Sequence, residues 1–235
     1  LLCGESAIAT MAYLLAYSLS LDTGALRARL ARLLPFIVVV LLWQGVYGHL
    51  GYGTAGSGAY VHPVSEPLRF VTTFFERAPA LAAAQVAFPP SEFWFLWPPS
   101  VAWAFYLLAL LILATVGRLL WPLLLEDRVA RFWVLGAVLA LVPVTAVFTM
   151  DRLLVFVGIG ASGALARLFA RSLETPFVGG SRLLLGGLVA VHLVIAPLAL
   201  PFASGVAIGM DAALAEIDDS IPREPSVAKK SLVVL

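Results

Sequence analysis

The sequence predicts an all-α polytopic membrane protein with about six transmembrane helices and an interfacial helix in a long outer loop. Of its 235 residues, 61% are hydrophobic and only 12% are charged, whereas soluble domains carry about 25% charged residues. The apolar residues are gathered into runs long enough to cross a bilayer as helices. Short turns with clustered basic residues separate several of these runs.

Charged or glycine-containing turns mark the ends of the apolar runs. Asp22-Thr23-Gly24 ends the first run, and the fourth and fifth runs flank the pair Asp151-Arg152. Two apolar runs around one charged pair predict a helical hairpin that turns at that pair. The expected spans lie near residues 1–21, 34–50, 101–117, 132–150, 153–170 and 183–202.

Residues 51–99 form the expected outer loop. Glycine and proline punctuate Gly51–Pro67, which is therefore predicted to be irregular. Leu68–Phe88 mixes aromatic and charged residues and predicts a helix at the membrane interface. Four aromatic residues lie within Pro89–Pro99, a composition typical of the headgroup level. Residues 204–235 are expected to be an outer tail that leads into a further soluble domain.

The basic residues predict the orientation of the chain. Nine of its fifteen Lys and Arg fall in three short turns that alternate correctly with six spans, and they are placed inside. They are Arg27, Arg29, Arg32, Arg118, Arg128, Arg131, Arg167, Arg171 and Arg182. The outer loop, the Asp151-Arg152 turn and the tail then lie on the outer side of the membrane.

Asp151 and Arg152 are the strongest candidate site residues. Charged groups at the membrane boundary are costly unless they contact water, each other or a ligand. Glu5, near the outer end of the first span, needs a partner for the same reason, and Arg152 is the expected one. His62 lies in the outer loop, where it is a candidate for contact with a ligand. For Glu5 the alternatives are a purely structural pair with Arg152 and a catalytic role. For the loop that holds His62, structural packing is the alternative to a ligand role.

Several classes of site find no support in the sequence. A net charge of +1 gives no reason to expect a nucleic-acid partner. Cys3 is the single cysteine, and no metal set or cofactor motif is evident. Gly51–Gly56 and Gly158–Gly163 fit G-x-G-x-x-G, but neither follows a strand, so neither is interpreted as a nucleotide site. The second is interpreted as a helix-packing pattern.

Two segments resemble one family. Thr149–Gly160 contains an acid, an arginine and a hydrophobic stretch, and resembles a segment of the GT-C-type membrane glycosyltransferases. The relatives in question are the polyprenyl-phosphate-mannose-dependent O-mannosyltransferases and their bacterial homologues. Cys3–Ala7 resembles the Lys-Glu motif of that family, with Gly4 at the Lys position. The tyrosine and proline usual after the acid–Arg pair are absent.

The resemblance implies an enzyme of the bacterial inner membrane that takes a sugar from a lipid-phosphate carrier at the outer face. Glu5, Asp151 and Arg152 would line the carrier-phosphate or sugar site. The general base of that family lies in an outer loop that would precede Leu1. Two other functions stay open, a transporter or flippase and a structural membrane protein without catalysis. Against transport, the spans show no evident inverted repeat.

Overall fold

The computed structural model describes residues 5–51, 60–87, 90–91, 98–147, 149–175, 177–202 and 205, without the side chains of residues 5, 6 and 99. The glycine-rich part of the outer loop, its aromatic cluster and the tail lie outside these residues, apart from residue 205. Every regular element within them is helical. In chain order they are a 3₁₀ turn at Glu5–Ala9, α1 (Thr10–Ser20), α2 (Leu26–Ala31), α3 (Leu34–His49), α4 (Pro67–Val86), α5 (Pro99–Glu126), α6 (Arg128–Val144), a 3₁₀ turn at Asp151–Leu153, α7 (Val155–Glu174) and α8 (Gly180–Ala190). A π-helical turn at Val191–Ile195 extends α8, and helix continues to Phe202.

The all-helical fold class is confirmed for the described residues, and three helices are long and apolar enough to cross a membrane. They are Leu26–His49, Ser100–Glu126 and Gly180–Phe202, which coincide with the second, third and sixth expected spans. The other expected spans correspond to helices that are shorter or more charged. The α6 helix has 17 residues, and α7 ends in a turn that carries Arg171 and Glu174. Six crossings therefore stay a prediction.

Two helix ends lie six or more residues from the predicted ends of their spans. The third span was expected to end at Gly117, but α5 continues through it to Glu126 with Pro122 inside the helix. The fourth span was expected to reach Met150, but α6 ends at Val144. The Thr145 N–H still donates to the Leu141 carbonyl as in an α-helix, but the N–H groups of Ala146 and Val147 form only the tighter i→i+3 bonds, and Pro143 near the end supplies no N–H donor.

Within the compact unit formed by residues up to Gly186, α6 packs between α1 and α7, and α4 packs against α5, α6 and α7. The helix predicted over residues 68–88 is therefore present as α4, but its second half belongs to the bundle. Leu81 of α4 is fully buried in the core cluster beside Leu141, Leu154 and Val157. The small residues of Ala80–Ala84 allow this close approach.

Glycines set the distance between α1, α6 and α7. A Cβ atom added at Gly136 of α6 would lie 2.5 Å from the Tyr13 ring. One at Gly160 of α7 would lie 2.5 Å from the carbonyl oxygen of Trp133, and one at Gly163 would lie 2.4 Å from the Trp133 ring. The Tyr13 hydroxyl donates a hydrogen bond to the Phe156 carbonyl. The interpretation of Gly158–Gly163 as a helix-packing pattern is therefore confirmed.

We expect Gly160→Ala to lower the free energy of unfolding by about 1–3 kcal/mol or more, since the methyl group collides with backbone that cannot rotate away. Gly117→Ala is the matched control, because nothing lies within 4 Å of its added Cβ. Alanine favours helix over glycine by about 1 kcal/mol, so the control is expected to be neutral or stabilising. Thermal unfolding in detergent measures both variants, and equal effects would contradict the packing described.

Candidate functional site

Arg77 of α4 fixes the end of α6. Its guanidinium donates to the carbonyl oxygens of Thr145 and Val147 at 3.1 and 2.5 Å. The N–H of Val61 donates to the intervening carbonyl of Ala146 at 2.8 Å. Carbonyl groups at a helix C-terminus have no partner in the helix and attract a cation. Burial lowers the pKa of Arg77, and the Glu76 carboxylate opposes that shift.

The segment after α6, residues 145–154, is the hairpin turn, and it places Asp151 beside Ser91. The Asp151 carboxylate accepts a hydrogen bond of 2.9 Å from the Ser91 N–H. The side-chain hydroxyls of Ser91 and Thr149 are buried and have no hydrogen-bond partner within the described part of the chain. A buried polar group without a partner costs about 1–3 kcal/mol. Water or a polar ligand beside Asp151 would remove that cost.

A cavity of about 380 Å³ opens next to the hairpin turn, and we call it the turn cavity. Gln44 of α3, Tyr60 of the outer loop, Phe70 of α4, and Leu153 and Phe156 contribute to its walls. The remaining lining is apolar, supplied mainly by the end of α6, the residues just after it and the 3₁₀ turn before α1. An apolar cavity of this size with few polar groups is typical of a site for an amphiphilic ligand.

All four site residues predicted from the sequence lie on segments that border the turn cavity. Asp151 and Arg152 directly precede Leu153, and His62 lies between Tyr60 and Pro63, which both line the cavity. Glu5 begins the 3₁₀ turn whose last residues line it. The structure therefore brings these segments together.

The side chains of Arg152 and His62 have different surroundings. Arg152 is exposed and forms no ion pair with any residue of the described ranges. The Glu5 side chain lies outside the described atoms, so the Glu5–Arg152 pair stays a prediction. The Nδ1 atom of His62 accepts hydrogen bonds from the N–H groups of Val64 and Ser65, each at 3.2 Å. His62 therefore has a structural role in shaping its loop.

The opposite end of the α6–α7 hairpin carries a charged clamp. Arg167 pairs with Asp127 and Arg171 with Glu126, each at 2.6 Å. Arg128 donates to the carbonyl of Ser20 at the end of α1. These contacts join the turn between α5 and α6 to α7 and α1. Several of the basic residues that predicted the orientation are thus also bound within the protein.

Sequence reasoning missed the roles of Arg77, Asp127 and Gln44. A signal for Asp127 was present, because an aspartate directly before a helical apolar run is a typical N-cap. It does accept hydrogen bonds from the N–H groups of Val129 and Ala130. Arg77 gave no comparable signal, since its partners lie 68 and 70 positions further along the chain.

The protonation of Asp127 should make stability depend on pH. Burial opposes ionisation of Asp127, but hydrogen bonds from Arg167, Val129 and Ala130 and the charge of Arg167 outweigh it, so its pKa lies below the usual range. The pKa of Asp127 is lower in the folded protein than in the unfolded chain, where it is about 3.9. Ionised Asp127 therefore stabilises the folded state, and this stabilisation is complete when the pH is above the unfolded pKa. That stabilisation is lost as the pH falls through the lower folded pKa.

We therefore expect acidification below about pH 4 to lower the unfolding midpoint of the wild type more than that of Asp127→Asn. Asparagine retains the N-cap, so Asp127→Asn should cost less than about 1 kcal/mol at neutral pH. Asp127→Ala also removes the cap and should cost about 1 kcal/mol more. Thermal unfolding from about pH 7 to pH 3 tests this order, and identical acid profiles for wild type and Asp127→Asn would refute it.

The described residues contain no group of three His, Cys, Asp or Glu side chains that could hold a metal ion. No protein-family model, curated protein or solved structure matches this chain.

Proposed function

We propose that the protein binds a lipid-linked sugar phosphate at the hairpin turn and takes part in transfer of that sugar at the outer face of a membrane. One observation carries the proposal: the exposed cation Arg152 directly precedes Leu153, a wall residue of the apolar turn cavity. A lipid phosphate has the same arrangement, with an anion attached to a hydrocarbon chain. The chain would occupy the turn cavity and the phosphate would contact Arg152.

Arg152 would act on the leaving group. A guanidinium offers two parallel donors to a phosphate. In the transfer, an acceptor hydroxyl oxygen attacks the anomeric carbon of the sugar, and the bond from that carbon to the phosphate oxygen breaks. The hydroxyl proton passes to a carboxylate base, and Arg152 stabilises the charge that grows on the departing lipid phosphate.

The proposed base has no candidate among the described wall residues of the turn cavity. No carboxylate is among the described residues that line it. Asp151 lies beside the cavity, where its carboxylate accepts the Ser91 N–H. Thr149 lies in the hairpin turn, and the Ser91 N–H is hydrogen-bonded to Asp151 of that turn. The buried hydroxyl groups of both residues can donate hydrogen bonds to the sugar or phosphate oxygens. We therefore assign Asp151 to positioning and place the base elsewhere in the protein.

In the proposed topology the chain crosses the membrane six times, with the hairpin turn on the outer side of the membrane. At 1.5 Å per residue, the 20 residues of α7 extend about 30 Å, the thickness of the hydrocarbon core. The 17 residues of α6 extend about 25 Å. The charged clamp at Asp127 and Arg167 lies at the end of the hairpin assigned to the inner side. Cysteine labelling from either side of the membrane at Arg152 and Arg131 tests this orientation.

We expect Arg152→Lys to fold normally and to reduce sugar transfer from a polyprenyl-phosphate sugar by about 100-fold, because one of two aligned donors is lost. Transfer by the full-length protein in liposomes and binding of polyprenyl phosphate to the purified protein are the two measurements. Arg131→Lys is the control, since Arg131 is an exposed arginine of α6 that does not line the turn cavity. Unchanged transfer and binding in Arg152→Lys would refute the assignment.

A purely structural role of Arg152 predicts a different result. If Arg152 served only to neutralise Glu5, Arg152→Ala would lower the yield of folded protein and Glu5→Ala would restore it. The proposed phosphate role predicts that the double variant stays unable to bind polyprenyl phosphate. Restored folding together with restored binding would favour the purely structural role.

A further inference from the structure

A second and larger space separates α2 and α3 from the rest of the bundle. It is a cleft of about 770 Å³, and we call it the basic cleft because Arg27 lines it. Leu15 of α1 and Leu139 of α6 contribute to one side, and Leu30 and Ile37 contribute to the other. Apart from Arg27, its lining residues are all apolar. The cleft therefore offers hydrocarbon contacts along most of its surface and one positive charge.

The basic cleft adjoins the turn cavity, because Ile8, Ala9, Val142 and Pro143 border both. The same face of the α2–α3 segment lines the two spaces. Leu30, Leu33 and Ile37 face the cleft, and Val40 and Gln44 face the turn cavity. These positions follow the spacing of a single helix stripe. From residue 30 to residue 44 that stripe extends about 21 Å, compared with about 15 Å for the hydrocarbon of one leaflet.

Arg27, at the cleft, differs from the neighbouring Arg29 and Arg32 in its contacts. Arg29 donates to the carbonyl oxygens of Ser18 and Asp22, and Arg32 forms an ion pair of 2.7 Å with the Asp22 carboxylate. Arg27 has no hydrogen bond or ion pair with any described residue. Asp22, the carboxylate of the same turn, is already bound by Arg32. Within the described part of the chain, Arg27 is therefore available to an anionic ligand.

We propose that an anionic phospholipid of the surrounding membrane binds in the basic cleft, with its phosphate at Arg27 and an acyl chain along the part of the stripe that faces the cleft, at Leu30, Leu33 and Ile37. The apolar lining of the cleft and the unpaired charge at its end both match this one ligand. A void between helices forfeits dispersion contacts, and the acyl chain supplies them where α3 does not pack closely. The site is separate from Arg152 and does not depend on sugar transfer.

Native mass spectrometry of the purified full-length protein tests the proposal with two probes, phosphatidylglycerol and phosphatidylcholine of identical chains. Wild type should bind phosphatidylglycerol about fivefold more tightly, the effect of one basic side chain at an anionic lipid. Arg27→Gln should abolish that preference, whereas Arg131→Gln should retain it. A preference that is absent in wild type, or that survives in Arg27→Gln, would overturn the proposal.

Filling the cleft gives an independent measurement. Ala31 lines the cleft and is exposed, whereas Ala28 is exposed on the same helix and does not line it. Ala31→Trp should weaken the binding of both lipids, and Ala28→Trp should leave it unchanged. Equal effects of the two variants, or a dimer in wild type that Ala31→Trp dissociates, would overturn the assignment to lipid. Sugar transfer that depends on Arg152 is a different readout, so either proposal can fail alone.

Discussion

The close contact of α6 with α1 and α7 is the constraint on which the rest of the structure depends. Gly136 of α6 lies against the ring of Tyr13, and Gly160 and Gly163 of α7 lie against Trp133. Dispersion falls steeply with distance, so such contacts stabilise only when the helices approach this closely. Tyr13 also hydrogen-bonds the Phe156 carbonyl at the start of α7, which links all three helices at one point.

The close contact of α6 with α7 brings together the residues at both ends of the α6–α7 hairpin. At one end Arg77 binds the last carbonyl groups of α6, and the chain then turns through Asp151 and Arg152. At the other end Asp127 and Arg167 close the clamp. The wall that the 3₁₀ turn before α1 and the end of α6 present together is shared by the turn cavity and the basic cleft. Both spaces lie between this wall and the α2–α3 segment, and both are lined mainly by apolar residues.

The sequence was informative wherever a feature depends on neighbouring residues. Run lengths and charge predicted the hairpin that turns at Asp151-Arg152, and the spacing of Gly158, Gly160 and Gly163 predicted helix packing. The end of α6 was not predictable, because most residues from Thr145 to Met150 are apolar and the cap comes from distant Arg77. The turn cavity was not predictable either, since it depends on the faces that α3 and α4 direct toward α6. A contact between Glu5 and Arg152 stays a prediction.

A double-mutant cycle between Trp133 and Gly163 tests the central claim, that α6 and α7 meet at glycine distance. In wild type, Gly163→Ala places a methyl group 2.4 Å from the Trp133 ring and should destabilise by about 1–3 kcal/mol. In a Trp133→Val background the space is open, and the same substitution should be neutral or stabilising. Unfolding free energies of the four proteins give the coupling. Additive effects of the two substitutions would contradict this account of the bundle.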